Sequence, residues 1–393
     1  MCIRSDIRRI FRAIAFCLTA VILCFTASSA LAYDENDFLE FAQKQYRTGR
    51  VKSGLVLVSL NGERVATFAY GPRTELGGEI TADTAFRVAS VTKFVTAIGL
   101  MTLYDQGKFE LDADIRETLP MMPLVNPAYP DVPITARQLL SHTSSFKGDA
   151  NYTTPTWELI KNPNNDYYER KFAPGTHYQY SNMNGAMFGS MIEALSGKSL
   201  NTYVRESVFD PLGINAAYHP YLLPDQSNVA DTFGLKGMQV LYMAEVRRFE
   251  NYHDTCNPRA NCGYSVGRMY ISGSGLERLL ITLMNGGSYG DVQLLRPETV
   301  AMMEAEQETV PGSSVSCTSR YGLGMEHLHD MPGGIWYGHQ GRVGGLTCDA
   351  YYQKDTGLTL VVITTGYKYG VKDSMVTLAL RFMTEVEKFV SED

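Results

Sequence analysis

The chain has 393 residues, 45% of them hydrophobic and 20% charged. That balance excludes a disordered or fibrous chain and allows a sizeable core, in one large domain or two ordinary ones. The formal charge is −7, from 35 basic and 42 acidic residues, which argues against a general binder of nucleic acid or anionic membranes.

Residues 1–32 stand apart. Arg4, Arg8, Arg9 and Arg12 precede an apolar run, "AIAFCLTAVILCF", and then small residues up to Ala32. This reads as a secretory signal cleaved after Ala32. A retained membrane anchor is the alternative, but residues 13–25 are short against the roughly 20 apolar residues of a bilayer span. Without residues 1–32, 31 basic and 41 acidic residues remain, a charge of −10. The expectation is a periplasmic or secreted protein with no membrane span after cleavage.

Residues 53–71, "SGLVLVSLNGERVATFAYG", predict two strands around an Asn61-Gly62 turn. From Ser90 to Gln106 the period becomes helical. Val91, Phe94, Val95, Ile98 and Met101 share one face, and Gly107 ends the run. Residues 116–267 read mainly as helices and loops. Helical spacing recurs in "ITARQLLSHTSSF" (134–146) and in "MNGAMFGSMIEALSGKSL" (183–200), closed by Gly197. Residues 162–176 read as a turn-rich surface loop, and 220–267 predict no definite element. Strands return at 335–341, 346–353 and 358–366, joined by short antiparallel connections. A last amphipathic helix covers 373–390. The early and late strands are expected to share one sheet. Residues 33–115 with 268–393 would form an α/β sandwich domain, and 116–267 a mostly helical inserted domain.

Three motifs carry the chemistry. A serine hydroxyl needs a base within hydrogen-bond reach to act as a nucleophile. Ser90 and Lys93 are three apart, so a helix makes them neighbours. A lysine serves as base when burial or another cation lowers its pKa, and the apolar residues around Lys93 predict burial. A second copy, Ser144 to Lys147, falls where helical periodicity fails. Lys52-Ser53-Gly54 precedes the nucleophile and is set aside. Tyr180-Ser181-Asn182 supplies a phenol able to shuttle protons and an amide able to bind a substrate carbonyl; alone it would read as a turn capping the next helix. His339-Gln340-Gly341 lies on a predicted strand, where a glycine permits close approach of another backbone. The next N–H, of Arg342, is a candidate oxyanion donor.

In this order the motifs resemble those of the penicillin-recognising serine hydrolases. The Tyr-x-Asn form is similar to their class C β-lactamase and DD-peptidase branch. "FAPGTHYQYSN", "VFDPLGI", "LLRPETV" and "YGLGM" add to the resemblance, which spans roughly residues 50–390. It implies an antiparallel sheet flanked by helices, with a helical insert. It also implies Ser90 as the acylated nucleophile, and Lys93 and Tyr180 as general base and acid. Asn182 would hold the substrate amide, and His339 would stand where the family usually has lysine. Backbone N–H groups of Ser90 and Arg342 would form the oxyanion hole. Gln340 departs from the usual Thr or Ser, which weakens the case for a dedicated β-lactamase. The substrate implied is a small peptide, first a D-amino-acid peptide, or a β-lactam-like molecule. Ester or β-lactam hydrolysis and a non-hydrolysing penicillin-binding sensor are the alternatives. No cofactor and no metal are expected.

Cys2, Cys17 and Cys24 leave with the signal. Cys256, Cys262, Cys317 and Cys348 remain, an even count that suggests two disulfides in an exported chain. Of three pairings, Cys256–Cys262 with Cys317–Cys348 is favoured. A metal site from His253, Cys256 and Cys262 is the rival, but its spacing matches no common zinc pattern. His142 and His177 are read as structural, and "HLHD" (327–330) as a solvated loop.

Overall fold

The computed structural model describes residues 33–147, 156–161, 167–235, 254–260, 263–307 and 320–390. The expected signal, His253, Cys262 and Cys317 lie outside them. Seven antiparallel strands form the main sheet: β1 (Ser53–Leu60), β2 (Glu63–Tyr70), β3 (Arg320–Tyr321), β4 (Glu326–Leu328), β5 (Trp336–Val343), β6 (Leu346–Gln353) and β7 (Leu358–Thr365). Their spatial order is β2-β1-β7-β6-β5-β4-β3, so the early and late strands share one sheet as expected. Asn61 (φ 52°) and Gly62 (φ 84°) both take left-handed backbone, as the tight turn between β1 and β2 requires.

Both faces of the sheet are covered. Along β1, Leu55 and Leu57 enter one core, and Val56 and Val58 the other, following the two-residue period of a strand. The second core holds α1 (Glu35–Gly49), whose Phe38, Ala42 and Tyr46 recur every fourth position. Asp34 caps this helix through a reciprocal capping box. The first core holds α2 (Val91–Asp105), buried from Val91 to Leu103 without a polar face. In chain order α3 (Ala136–Leu140), α4 (Asn182–Ser196), α5 (Tyr264–Gly267), α6 (Gly273–Met284), α7 (Pro297–Glu304) and α8 (Thr377–Val386) follow. The last, α8, joins α1 on the second face through Phe382, Met383 and Val386. Among the described residues, no helix is long and apolar enough to cross a membrane.

Two differences from the expectations have physical causes. The helical run at 134–146 stops at Leu140, because His142 (φ 57°) and Ser145 (φ 65°) turn the chain left-handed. "HLHD" is not a solvated loop: His327 is a buried residue of β4. Cys256 and Cys348 stand as free thiols, and the expected partner of each, Cys262 and Cys317, lies outside the described residues. Cys348 sits opposite Gly341 and Ile363 in the middle of the sheet, with its side chain packed into the first core.

Candidate active site

Ser90 is the N-cap residue of α2, just after Ala89, whose φ of 46° is unusual for a residue other than glycine. A serine there normally caps the helix. The Ser90 side chain makes no such bond. Its Oγ instead accepts from Lys93 Nζ at 2.9 Å. Lys93 is 1% exposed and also donates to the Val266 carbonyl of α5 at 3.0 Å.

The aliphatic stem of Lys93 runs against Gly185 of α4. A Cβ at Gly185 would lie 2.9 Å from Lys93 Cγ and Cδ. A glycine inside a helix costs about 1 kcal/mol relative to alanine. Here its missing side chain gives the lysine room. That unfavourable glycine, one turn after Asn182, was the sequence signal that could have found this contact.

The second serine tetrad is different. Ser144 is 1% exposed, and its Oγ is engaged by Asn184 Oδ1 at 2.5 Å and by the Phe146 N–H at 3.2 Å. No helix brings Lys147 beside it.

Tyr180 and Asn182 sit at the mouth of α4, whose cap is Ser181. Lys93 Nζ lies 5.2 Å from the centre of the Tyr180 ring. Tyr180 is 37% exposed, so its ring is open to an incoming molecule. Under it lies His142, with ring centres 4.4 Å apart. His142 Nδ1 faces the Ser181 N–H at 3.2 Å and Asn184 Nδ2 at 2.8 Å. Both can only donate, so Nδ1 accepts and the imidazole is neutral. Burial first, then the nearby Lys93 charge, holds its pKa far below the usual range. The His142 carbonyl also accepts from the Gln179 N–H at 2.8 Å, so His142 ties down both sides of the Tyr180 turn. His177 stacks on Phe172 at 4.0 Å, away from these groups.

β5 closes the site. A Cβ on Gly341 would fall 2.2 Å from the Val88 carbonyl and 2.9 Å from the Ser90 nitrogen. Only glycine lets this strand pass so close to the Ser90 N–H. His339 shares the inner face with Gly341; it is 1% exposed, and its ring centre is 6.3 Å from that of Tyr180. Its Nδ1 donates to the Gln340 carbonyl at 2.5 Å. Nε2 is buried with no hydrogen-bond partner among the described residues. The His339 pKa is held down at about 3, mainly by burial and then by Lys93. A neutral imidazole therefore stands where a permanent cation was the family expectation.

Gln340 and Arg342 alternate to the outer face. Gln340 pairs across the ladder with Asp349, and its N–H donates to Glu326 Oε2 at 3.2 Å. The Arg342 side chain is exposed. Glu326 and Asp349 were not foreseen. Both are buried; Glu326 also accepts from Tyr351. Burial raises Glu326 to about 7, and raises Asp349 well above the carboxylate range, with the neighbouring Glu326 as a second cause. Glu326 Oε1 lies 3.9 Å from His339 Nδ1.

The geometry brings together Ser90, Lys93, Tyr180, His339 and Gly341, with Asn182 in the first turn of α4 beside them in sequence, while the Gln340 side chain points away. It offers a hydroxyl with an adjacent buried amine, a phenol nearby, and a strand backbone against the helix start. That combination suits acyl transfer.

Comparisons with known proteins bear on the fold and the family. A putative D-alanyl-D-alanine carboxypeptidase of Escherichia coli K12 is 27% identical over 255 residues. The match covers 56% of this chain and 56% of that relative, so the chain spans little more than half the length of the curated relatives it matches first. The octameric penicillin-binding protein homologue of Pyrococcus abyssi superposes with a TM-score of 0.70, at 20% identity, over 90% of this chain and 77% of the other. The D-amino acid amidase of Ochrobactrum anthropi SV3 gives 0.69, at 20% identity, over 91% and 99%. These structures share the antiparallel sheet with flanking helices. The family described as Beta-lactamase matches residues 39–381, and the chain belongs to that family.

Proposed function

We propose that the chain is an exported serine hydrolase working through an acyl-enzyme on a peptide-like substrate, first of all a D-amino-acid peptide. The observation that carries this reading is the 2.9 Å contact from a buried Lys93 amine to a Ser90 hydroxyl that leaves the helix uncapped. In the proposed cycle Ser90 Oγ attacks the substrate carbonyl as Lys93 takes its proton. The Ser90 and Arg342 N–H groups hold the oxyanion, and Asn182 holds the substrate amide. Tyr180 delivers a proton to the leaving nitrogen. Water then enters, gives up a proton by the reverse path and releases Ser90. The curated relative named as a carboxypeptidase and the structural neighbour named as an amidase support peptide or amide chemistry.

One observation favours a second reading within this class. His339 is neutral, so the inner face of β5 offers no fixed cation for a substrate carboxylate. Amides or esters without a free carboxylate fit that face better than a carboxylate-ended peptide does.

Intact-mass spectrometry with penicillin and a p-nitrophenyl ester, beside turnover of D-Ala-D-Ala peptides and D-amino amides, tests the proposal. A Ser90-linked adduct and turnover of one substrate support it. A lasting adduct without turnover of any would mean a sensor, and no adduct or turnover would overturn the hydrolase reading.

A further inference from the structure

A second group of chemically active side chains lies outside this site, at the β3–β4 edge. His327 and His329 are two apart, on and just past β4, and Glu306 follows α7. One ligand atom of each lies within 4.8 Å of the others. We propose that Glu306, His327 and His329 form a binding site for a divalent ion of zinc's chemistry.

One ligand-to-ligand distance matches such an ion, and the other two stay within 4.8 Å. Zinc holds His nitrogen at about 2.0–2.1 Å and carboxylate oxygen at about 2.0–2.2 Å, so two ligands of a tetrahedron stand roughly 3.4 Å apart. His329 Nε2 and Glu306 Oε2 are separated by 3.4 Å. Two imidazoles and one carboxylate are a donor set that zinc takes, with the fourth position left to water. His327 is 2% exposed, and its Nε2 has no hydrogen-bond partner among the described residues. A buried ring nitrogen left without a bond costs free energy that a metal would recover. Tyr337 packs edge-on against the His327 ring, with centres 5.1 Å apart, and limits its rotation. Gly322 faces the same nitrogen: a Cβ there would stand 2.7 Å from His327 Nε2.

Arg320 is the competitor. Its Nη1 lies 3.2 Å from His329 Nδ1 and 3.8 Å from Glu306 Oε2. A guanidinium only donates, so His329 Nδ1 accepts and its proton rests on Nε2, the atom that faces Glu306. Binding metal through Nε2 moves that proton to Nδ1, with no net release, and breaks the bond from Arg320. The arginine side chain is 41% exposed and can leave into water. Arg320 and the metal therefore exclude each other, and removing the arginine should tighten the site.

The test is equilibrium competition of Zn²⁺ against a chromogenic chelator, using tag-free protein with its thiols blocked. Three proteins are compared: unaltered chain, Arg320→Gln, and the double variant His327→Asn with His329→Asn. The expected result is one Zn²⁺ per chain, about tenfold tighter in Arg320→Gln, and weakened about 100-fold or more in the double variant. Co²⁺ should give the visible absorption of a tetrahedral ion in the first two proteins and not in the third. Circular dichroism and thermal unfolding establish that the double variant is folded; Glu306→Gln serves as the weakened variant if it is not. Absence of stoichiometric binding, equal binding by the histidine or glutamate variants, or weaker binding by Arg320→Gln would each overturn the proposal.

Discussion

Replacing Gly185 by alanine tests whether catalysis depends on where Lys93 stands. The new Cβ would lie 2.9 Å from Lys93 Cγ and Cδ and 3.0 Å from Cε. Carbon atoms settle at about 3.5–4.0 Å, so the stem must retreat by roughly 0.6 Å or more. Nζ has little freedom, being bonded to Ser90 at 2.9 Å and to Val266 at 3.0 Å. A shift of that size carried to Nζ stretches the serine contact to about 3.5 Å, beyond the usual 2.7–3.2 Å range. Misplacing a catalytic group by about 1 Å costs roughly 100-fold, or about 2.7 kcal/mol of barrier. Stability should change much less. Alanine gains about 1 kcal/mol in a helix interior, against about 1–3 kcal/mol for overpacking. The expected result is kcat/KM for ester or amide turnover lowered about 100-fold, with the thermal midpoint within several degrees of the parent. A value of kcat/KM within about threefold of the parent, at unchanged stability, would refute the reasoning.

Ser90→Ala should abolish the covalent adduct seen by mass spectrometry. Ser144→Ala should keep it, losing only about 1–2 kcal/mol of stability with its buried hydrogen bonds; comparable acylation in both would reverse the assignment. Tyr180→Phe should slow turnover by about 100-fold or more, the scale of a general acid–base step, and an unchanged rate would remove the phenol from the mechanism. The His339 pKa, held down at about 3 against an ordinary value near 6.5, makes its contribution to folding complete above about pH 6.5 and lost as pH falls toward 3. Glu326, raised to about 7, has the opposite sign and weakens the fold as pH rises from about 4.5 to 7. Below about pH 4.5 the histidine effect should dominate this pair. Denaturant titrations from pH 3.5 to 7 should therefore show a shallower acid loss in His339→Gln, and parallel profiles would contradict it.

The strands at 53–70 and 336–365 were legible because their alternation and turn chemistry are local. So was α2, with its glycine stop. Helix α1 went unread although Phe38, Leu39, Phe41, Ala42 and Tyr46 give it an apolar face. The Ser90–Lys93 contact was legible from the i, i+3 spacing of the tetrad. The partners of those residues were not. Val266, Gly185 and His142 meet Lys93 and Tyr180 only through tertiary packing. Burial of Glu326 and Asp349 also has no local signature, since a carboxylate reads as surface until the neighbouring strands are placed. "HLHD" misled for the same reason: its polarity suggested solvent, while pairing of β4 between β5 and β3 buried His327.

The close passage of β5 past Ser90 has an evolutionary consequence. What approaches Ser90 there is main chain, and a backbone N–H is supplied by every residue type except proline. Position 341 is fixed by its lack of volume, but the side chains at 340 and 342 project to the other face. Mutation at these two positions can recolour the outer surface or the packing beneath it while the reactive geometry stays as it was. The outer surface of β5 can therefore change without moving the backbone that faces Ser90.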